Sequence, residues 1–152
     1  MAPYRESGER GMYPESQEIL VVDEDDTRRR SIEAILRDEG FPVTSATAGL
    51  GALRAINRRD FALVVTAMGL PGTLDGVTTM RQARGKRPRL KFLLVADYPR
   101  APSRVDRDAE DMIAAPFQRW ELLGCVFELL QRDVASDSAD LARRARGARW
   151  AS

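Results

Sequence analysis

The residues best placed to do chemistry are Asp23 and Glu24, the acidic pair that follows the apolar run Ile19-Leu20-Val21-Val22. In open α/β sheets ligands bind outside the carboxyl ends of the strands, so acids at such an end face a ligand rather than the core. The same counting puts Thr66-Ala67, Ala96-Asp97 and Ala115-Pro116-Phe117 at three further strand ends, expected to converge with the first on one pocket. To that pocket Ala67, Ala96 and Ala115 bring only methyl groups: no nucleophile, no hydroxyl and no ammonium. Histidine is absent from the chain, which excludes Ser-His-Asp and Cys-His triads, histidine metal sites and a phosphohistidine donor. The only lysines are Lys86 and Lys91. The lone cysteine, Cys125, lies in the apolar stretch ELLGCVFELL. It reads as a packed small hydrophobe and allows no intrachain disulfide.

Holding such a pocket requires strands covered on both faces. The runs at 19–22, 63–65 and 92–95 are apolar without alternation, the pattern of strands in a parallel sheet. A fourth strand is expected at 42–46 and a weaker fifth at 112–115. Helical patterns fall between them. Asp26 or Thr27 can cap a helix whose Ile32, Ile35 and Leu36 share a face and which Gly40 ends. Leu50, Leu53 and Ile56 mark a second helix, and a third runs from about 76 to 83. The last, roughly 118–131, places Leu122, Leu123, Val126, Phe127 and Leu130 on one side. Alternating strand and helix predicts an α/β, doubly wound parallel sheet with right-handed crossovers. Between the last two strands the segment YPRAPSRVDRDAED has two prolines and hardly any apolar periodicity, so a fourth helix is expected to be short or missing.

A chain of 152 residues, 43% hydrophobic and 31% charged, suits one domain with a single core. Net charge of +1 gives no general pull toward nucleic acid or membrane. The sequence lacks an apolar run of the ~20 residues needed to span a bilayer, and its start has no apolar signal-peptide core, so cytoplasmic is the default location. Residues 1–17 read as a disordered leader, 18–133 as the folded domain and 134–152 as a flexible arginine-rich tail. Arg143, Arg144, Arg146, Arg149 and Trp150 in that tail are read as solvated; nucleic acid is not the expected partner, since no recognition helix is evident.

At these residues the chain resembles the receiver domain of two-component response regulators. The likeness is carried, in family order, by ILVVDEDDTRR, GFPVTSATAGLGAL, ALVVTAMGLPGTLDG, FLLVADYP and AAPF, over about residues 18–133. It implies a flavodoxin-like, five-stranded sheet of order 2-1-3-4-5. In this family a carboxylate after strand three accepts a phosphoryl group from a phosphohistidine. An acidic pair after strand one helps to hold Mg²⁺, and a hydroxyl after strand four and a lysine after strand five bind the transferred group. By motif position Asp23 and Glu24 match the acidic pair, Ala67 takes the aspartate position, Ala96 the Thr/Ser position and Ala115 the lysine position. Met112 stands where an aromatic is usual and reads as core packing.

The resemblance thus implies an atypical receiver, a pseudo-receiver without its phosphoacceptor, and no enzyme. No cofactor is required, and at most a weak or vestigial Mg²⁺ site remains at Asp23 and Glu24, which otherwise serve the following helix N-terminus electrostatically. Losing a carboxylate and its ammonium partner together is physically coherent, since replacing both members of a buried pair with apolar groups can be neutral or stabilising. Neighbouring groups are not expected to substitute: Asp97 and Asp25 lie one step off the inward-facing positions, and Lys86 and Lys91 are at the wrong end of strand four. Arg28, Arg29 and Arg30 read as a solvated helix face. The expected function is a stand-alone signalling module that meets a protein partner without phosphorylation. The partner is a histidine kinase, another regulator or a second copy, on the face of the fourth helix, fifth strand and fifth helix. The alternative is a phosphoacceptor response regulator, phosphorylated on aspartate with Mg²⁺, of which this sequence is a site-inactivated variant.

Overall fold

A computed structural model of the protein describes residues 17–97 and 111–132. The leader before Gln17, the segment proposed to lack a full fourth helix (98–110) and the arginine-rich tail lie outside the described residues. The described chain runs β1 (Ile19–Val22), α1 (Asp26–Asp38), β2 (Val43–Ala46), α2 (Gly49–Arg58), β3 (Leu63–Ala67), α3 (Gly76–Lys86), β4 (Phe92–Asp97) and β5 (Asp111–Ala115). A last helix follows over 119–132.

The strands form one parallel sheet, as the alternating pattern leads one to expect, in the order β2-β1-β3-β4-β5 that the resemblance implies. Every residue of β1 and β3 is buried, so their unbroken apolar runs follow from cover on both faces. Odd-numbered strand residues, among them Ile19, Val21, Val65, Leu93 and Val95, pack with Ile32 and Leu36 of α1 and with Leu122 and Val126 of the last helix. Even-numbered ones, Leu20, Val22, Val64 and Leu94, pack with Ala52 and Ile56 of α2 and Met80 of α3. Truncating one of these leucines to alanine is expected to cost about 2–5 kcal/mol. Cys125 and Met112 are partly buried against the two clusters, as small and flexible core fillers.

Several boundaries differ by a residue or more from the sequence reading. Asp25, not Asp26 or Thr27, caps α1: its Oδ1 accepts from the Arg28 N–H at 3.0 Å. The helix ends at Asp38 with Glu39 as its C-cap, and the next residue is Gly40, whose φ of 95° is open to glycine and costly for other residues. In α2 the buried stripe is Gly49, Ala52 and Ile56, while Leu50 is 54% exposed. Spacing of three then four keeps those positions on one line, whereas 50, 53 and 56 drift around the helix. Helix α3 continues to Lys86 because Ala83 is still buried and the Arg84 guanidinium stacks over Phe92, 5.6 Å from the ring centre. Its start touches the end of β3: a Cβ on Gly76 would lie 2.1 Å from the Ala67 carbonyl oxygen. Only glycine lets the helix begin there.

Candidate functional site

At the carboxyl end of the sheet, beside the point where strand order reverses, lies an open cleft of about 420 Å³. It is lined by Asp23, Glu24, Asp25 and Arg28 from the β1–α1 corner, by Gly69, Leu70 and Pro71 from the β3–α3 loop, and by Asp97 from β4. Three strand ends therefore meet, as expected. The end of β5 stands alongside: Ala115 pairs with Asp97 and shares its face, but it is half-buried, packs against the core cluster and does not line the cleft. Ala67 and Ala96 are 1% and 3% exposed and sit beneath the rim, not on it.

Register places these residues relative to one another. Val22 pairs with Thr66, so Asp23 and Ala67 are the next residues on adjacent strands, and Ala67 pairs in turn with Val95. Neighbouring strands are ~4.8 Å apart, so the Ala67 methyl is next to Asp23 on the same face. Asp97 lies two residues beyond Val95 and shares that face. This corrects the expectation that Asp97 stands off the inward positions. It lines the cleft, and the off-face residue is Ala96. Lys91, just before β4, and Lys86, ending α3, are at the opposite end from the cleft.

Asp23 is the electrostatic centre. It is 1% exposed, and a carboxylate so deep must be paired. Its Oδ2 accepts from Arg28 Nε at 2.5 Å, and its Oδ1 accepts from Arg28 Nη2 at 3.1 Å and from the Asp25 N–H at 3.0 Å. The guanidinium also donates from Nη1 to Asp97 Oδ1 at 2.6 Å. The Asp23 hydrogen bond is the main reason that the Arg28 pKa is raised, with Asp97 adding to it against the cost of burial. Arg29 is likewise not solvated: it donates to the Asp23 carbonyl at 3.1 Å and pairs with Asp26 and Glu33. Of the three arginines read as a solvated face, only Arg30 is one, with 74% of its side chain exposed.

Sequence reading therefore missed Arg28 and Asp97. One signal was available. Arg28 is the third residue of α1, where the helix dipole disfavours a cation, and helical side chains lean back toward the N-terminus. An arginine there needs acids ahead of it, and Asp23 to Asp26 supply them.

The Mg²⁺ that the resemblance implies fits these residues poorly. Both Asp23 oxygens are engaged by a cation and a backbone N–H. Among the described residues no group of three or more His, Cys, Asp or Glu side chains is arranged to hold a metal ion. Mg²⁺ demands near-octahedral oxygen ligation and dehydrates reluctantly, and Arg28 presents a positive charge where it would bind.

An order of β2-β1-β3-β4-β5, with a strand-end cleft built on the acids after β1, is the doubly wound α/β architecture to which receiver domains belong. The sequence matches the response regulator receiver domain family over residues 19–127, and the chain belongs to that family. It is similar to the response regulator MprA of Mycobacterium tuberculosis, with 36% identity over 129 residues, covering 82% of this chain and 55% of MprA. The chain thus spans about half the length of the curated relatives it matches. Among solved structures, NtrX from Brucella abortus superposes with a TM-score of 0.75 at 30% identity, over 83% of this chain and 30% of NtrX. The signal receiver domain of an HD domain-containing protein from Pseudomonas fluorescens Pf-5 matches with a TM-score of 0.70 at 21% identity, over 77% of this chain and 96% of that domain, and shows the fold alone. Among the described residues no helix is long and apolar enough to cross a membrane.

Proposed function

We propose that this receiver acts in two-component signalling as a pseudo-receiver, a protein-binding module whose output does not depend on phosphorylation. One observation carries the reading. Beside the buried Asp23, at the end of β3, the chain presents the methyl group of Ala67, 1% exposed. Phosphoryl transfer to a receiver needs a nucleophilic oxygen at that place, with a donor and a cation for the phosphoryl oxygens. Ala67 offers no acceptor, and Ala96 and Ala115 offer no hydroxyl or ammonium. Asp23 and Glu24 would be a vestigial metal site, and the module would need no cofactor.

A partner is expected on the β5 and last-helix side, and Trp120 supports this, being 72% exposed on that helix. By the family's role the partner is a histidine kinase, another regulator or a second copy of the chain. The test is incubation with Mg²⁺ and acetyl phosphate followed by intact mass measurement. No added phosphate is expected. A covalent aspartyl phosphate, at Asp97 for instance, would end this reading and favour a working phosphoacceptor.

A further inference from the structure

We propose that Arg28 is a tethered cation that takes the place of the divalent metal at Asp23, so that the buried carboxylate has its counter-charge without any metal. This rests on the reading above only in taking the strand-end cleft as the receiver site.

Three independent features support it. First, contact: Arg28 grips Asp23 with two nitrogens, Nε on Oδ2 at 2.5 Å and Nη2 on Oδ1 at 3.1 Å. A guanidinium is a planar fork matched to a carboxylate, always charged and lightly hydrated. Second, burial: Asp23 is 1% exposed and the Arg28 side chain 22% exposed, so the pair is shielded from solvent. Without Arg28 the carboxylate would be a buried charge with one backbone N–H for company. Third, reach: Nη1 extends the same cation to Asp97 at the end of β4. One side chain therefore bridges acids from two strand ends, as a bound divalent ion would. A mobile ion comes and goes with concentration, whereas Arg28 is anchored by α1, itself capped by the adjacent Asp25. The Asp23 carboxylate should keep its counter-charge whatever the metal supply.

Thermal unfolding of wild type, Arg28→Gln and Asp23→Asn/Arg28→Gln, with and without millimolar MgCl₂, tests the assignment. Wild type should be indifferent to MgCl₂. Arg28→Gln should melt roughly 5–10 °C lower and recover part of that loss when MgCl₂ is added. The double variant, with both charges gone, should melt above Arg28→Gln and ignore MgCl₂. Should Arg28→Gln fail to fold, the double variant decides: a folded, metal-indifferent protein supports the proposal and an unfolded one overturns it. A wild-type melting point raised by MgCl₂ as much as that of Arg28→Gln overturns it, and so does an Arg28→Gln loss that MgCl₂ leaves unmoved. None of these readouts depends on acetyl phosphate, so inertness to phosphorylation stands or falls separately.

Discussion

The two flanks of the strand-end cleft deal with buried charge by opposite routes. On the β1 flank the acids remain: Asp23 is buried and its charge is met by Arg28, with Asp97 sharing the guanidinium from across the cleft. On the flank from β3 to β5 the corresponding positions are Ala67, Ala96 and Ala115, two of them buried among apolar neighbours. A charge in a low-dielectric place must be answered locally, whereas a methyl group there simply joins the core. The charged flank therefore depends on a specific geometry between two side chains. The methyl flank depends only on shape and packing.

Charging the methyl flank should produce the largest effect. Ala67→Asp places a carboxyl where Ala67 is 1% exposed, with Arg28 already committed to Asp23 and Asp97. Urea unfolding should show a loss of about 3 kcal/mol or more. Acetyl phosphate should still label the variant poorly, since the hydroxyl and ammonium positions remain alanine; rapid labelling would mean that the flank had lost only its nucleophile. Next comes a change of shape on the same flank. Gly76→Ala would drive a Cβ to within 2.1 Å of the Ala67 carbonyl oxygen, and the neighbour is backbone, which cannot rotate away. A loss of roughly 1–3 kcal/mol is expected, and an unchanged urea midpoint would show that α3 can start elsewhere. On the charged flank, Asp97→Asn removes the outer contact of Arg28. The Asp97 side chain is 75% exposed, so the expected loss is only about 0.5 kcal/mol or less, shrinking with salt. A larger loss would make Asp97 an equal partner of Asp23.

The methyl flank was the easier of the two to read from sequence. Strands buried on both faces leave unbroken runs such as Ile19 to Val22 and Leu63 to Val65, and their ends point to the alanines by simple counting. The order of the strands is not in those runs; it came with the family resemblance, and the parallel pairing agrees with it. Arg28 was hidden because a run of three arginines after a helix cap looks like a solvated face, and only the position of Asp23 against the third residue of α1 separates Arg28 from Arg30. Asp97 was hidden by parity. Counting from Ala96 puts it on the wrong side, whereas the Ala67–Val95 pairing puts it on the side of Asp23. Leu50 misled in the same way, as a large apolar residue outranked in burial by Ala52. Tertiary register decides such cases, and a single sequence carries it weakly.

The smallest effect is expected at Asp26, where the charged flank meets solvent. A hydrogen bond from Arg29, and then the charges of Arg29 and Arg30, hold its carboxyl below the usual carboxylate range. A carboxyl with a lower pKa folded than unfolded stabilises fully above the unfolded value and loses that contribution as pH falls through the folded one. Asp26→Asn should therefore melt slightly lower than wild type at neutral pH, with the gap closing as pH falls below roughly 4 and also closing in high salt. The comparison with Asp23 is what makes so small a number useful. Asp26 is 68% exposed in its pair with Arg29, and Asp23 is 1% exposed in its pair with Arg28, so salt should erase the first and leave the second nearly untouched. If Arg28→Gln and Asp26→Asn lose their effects together as salt rises, the Asp23–Arg28 pair is behaving as a surface contact and the charged flank has no buried anchor.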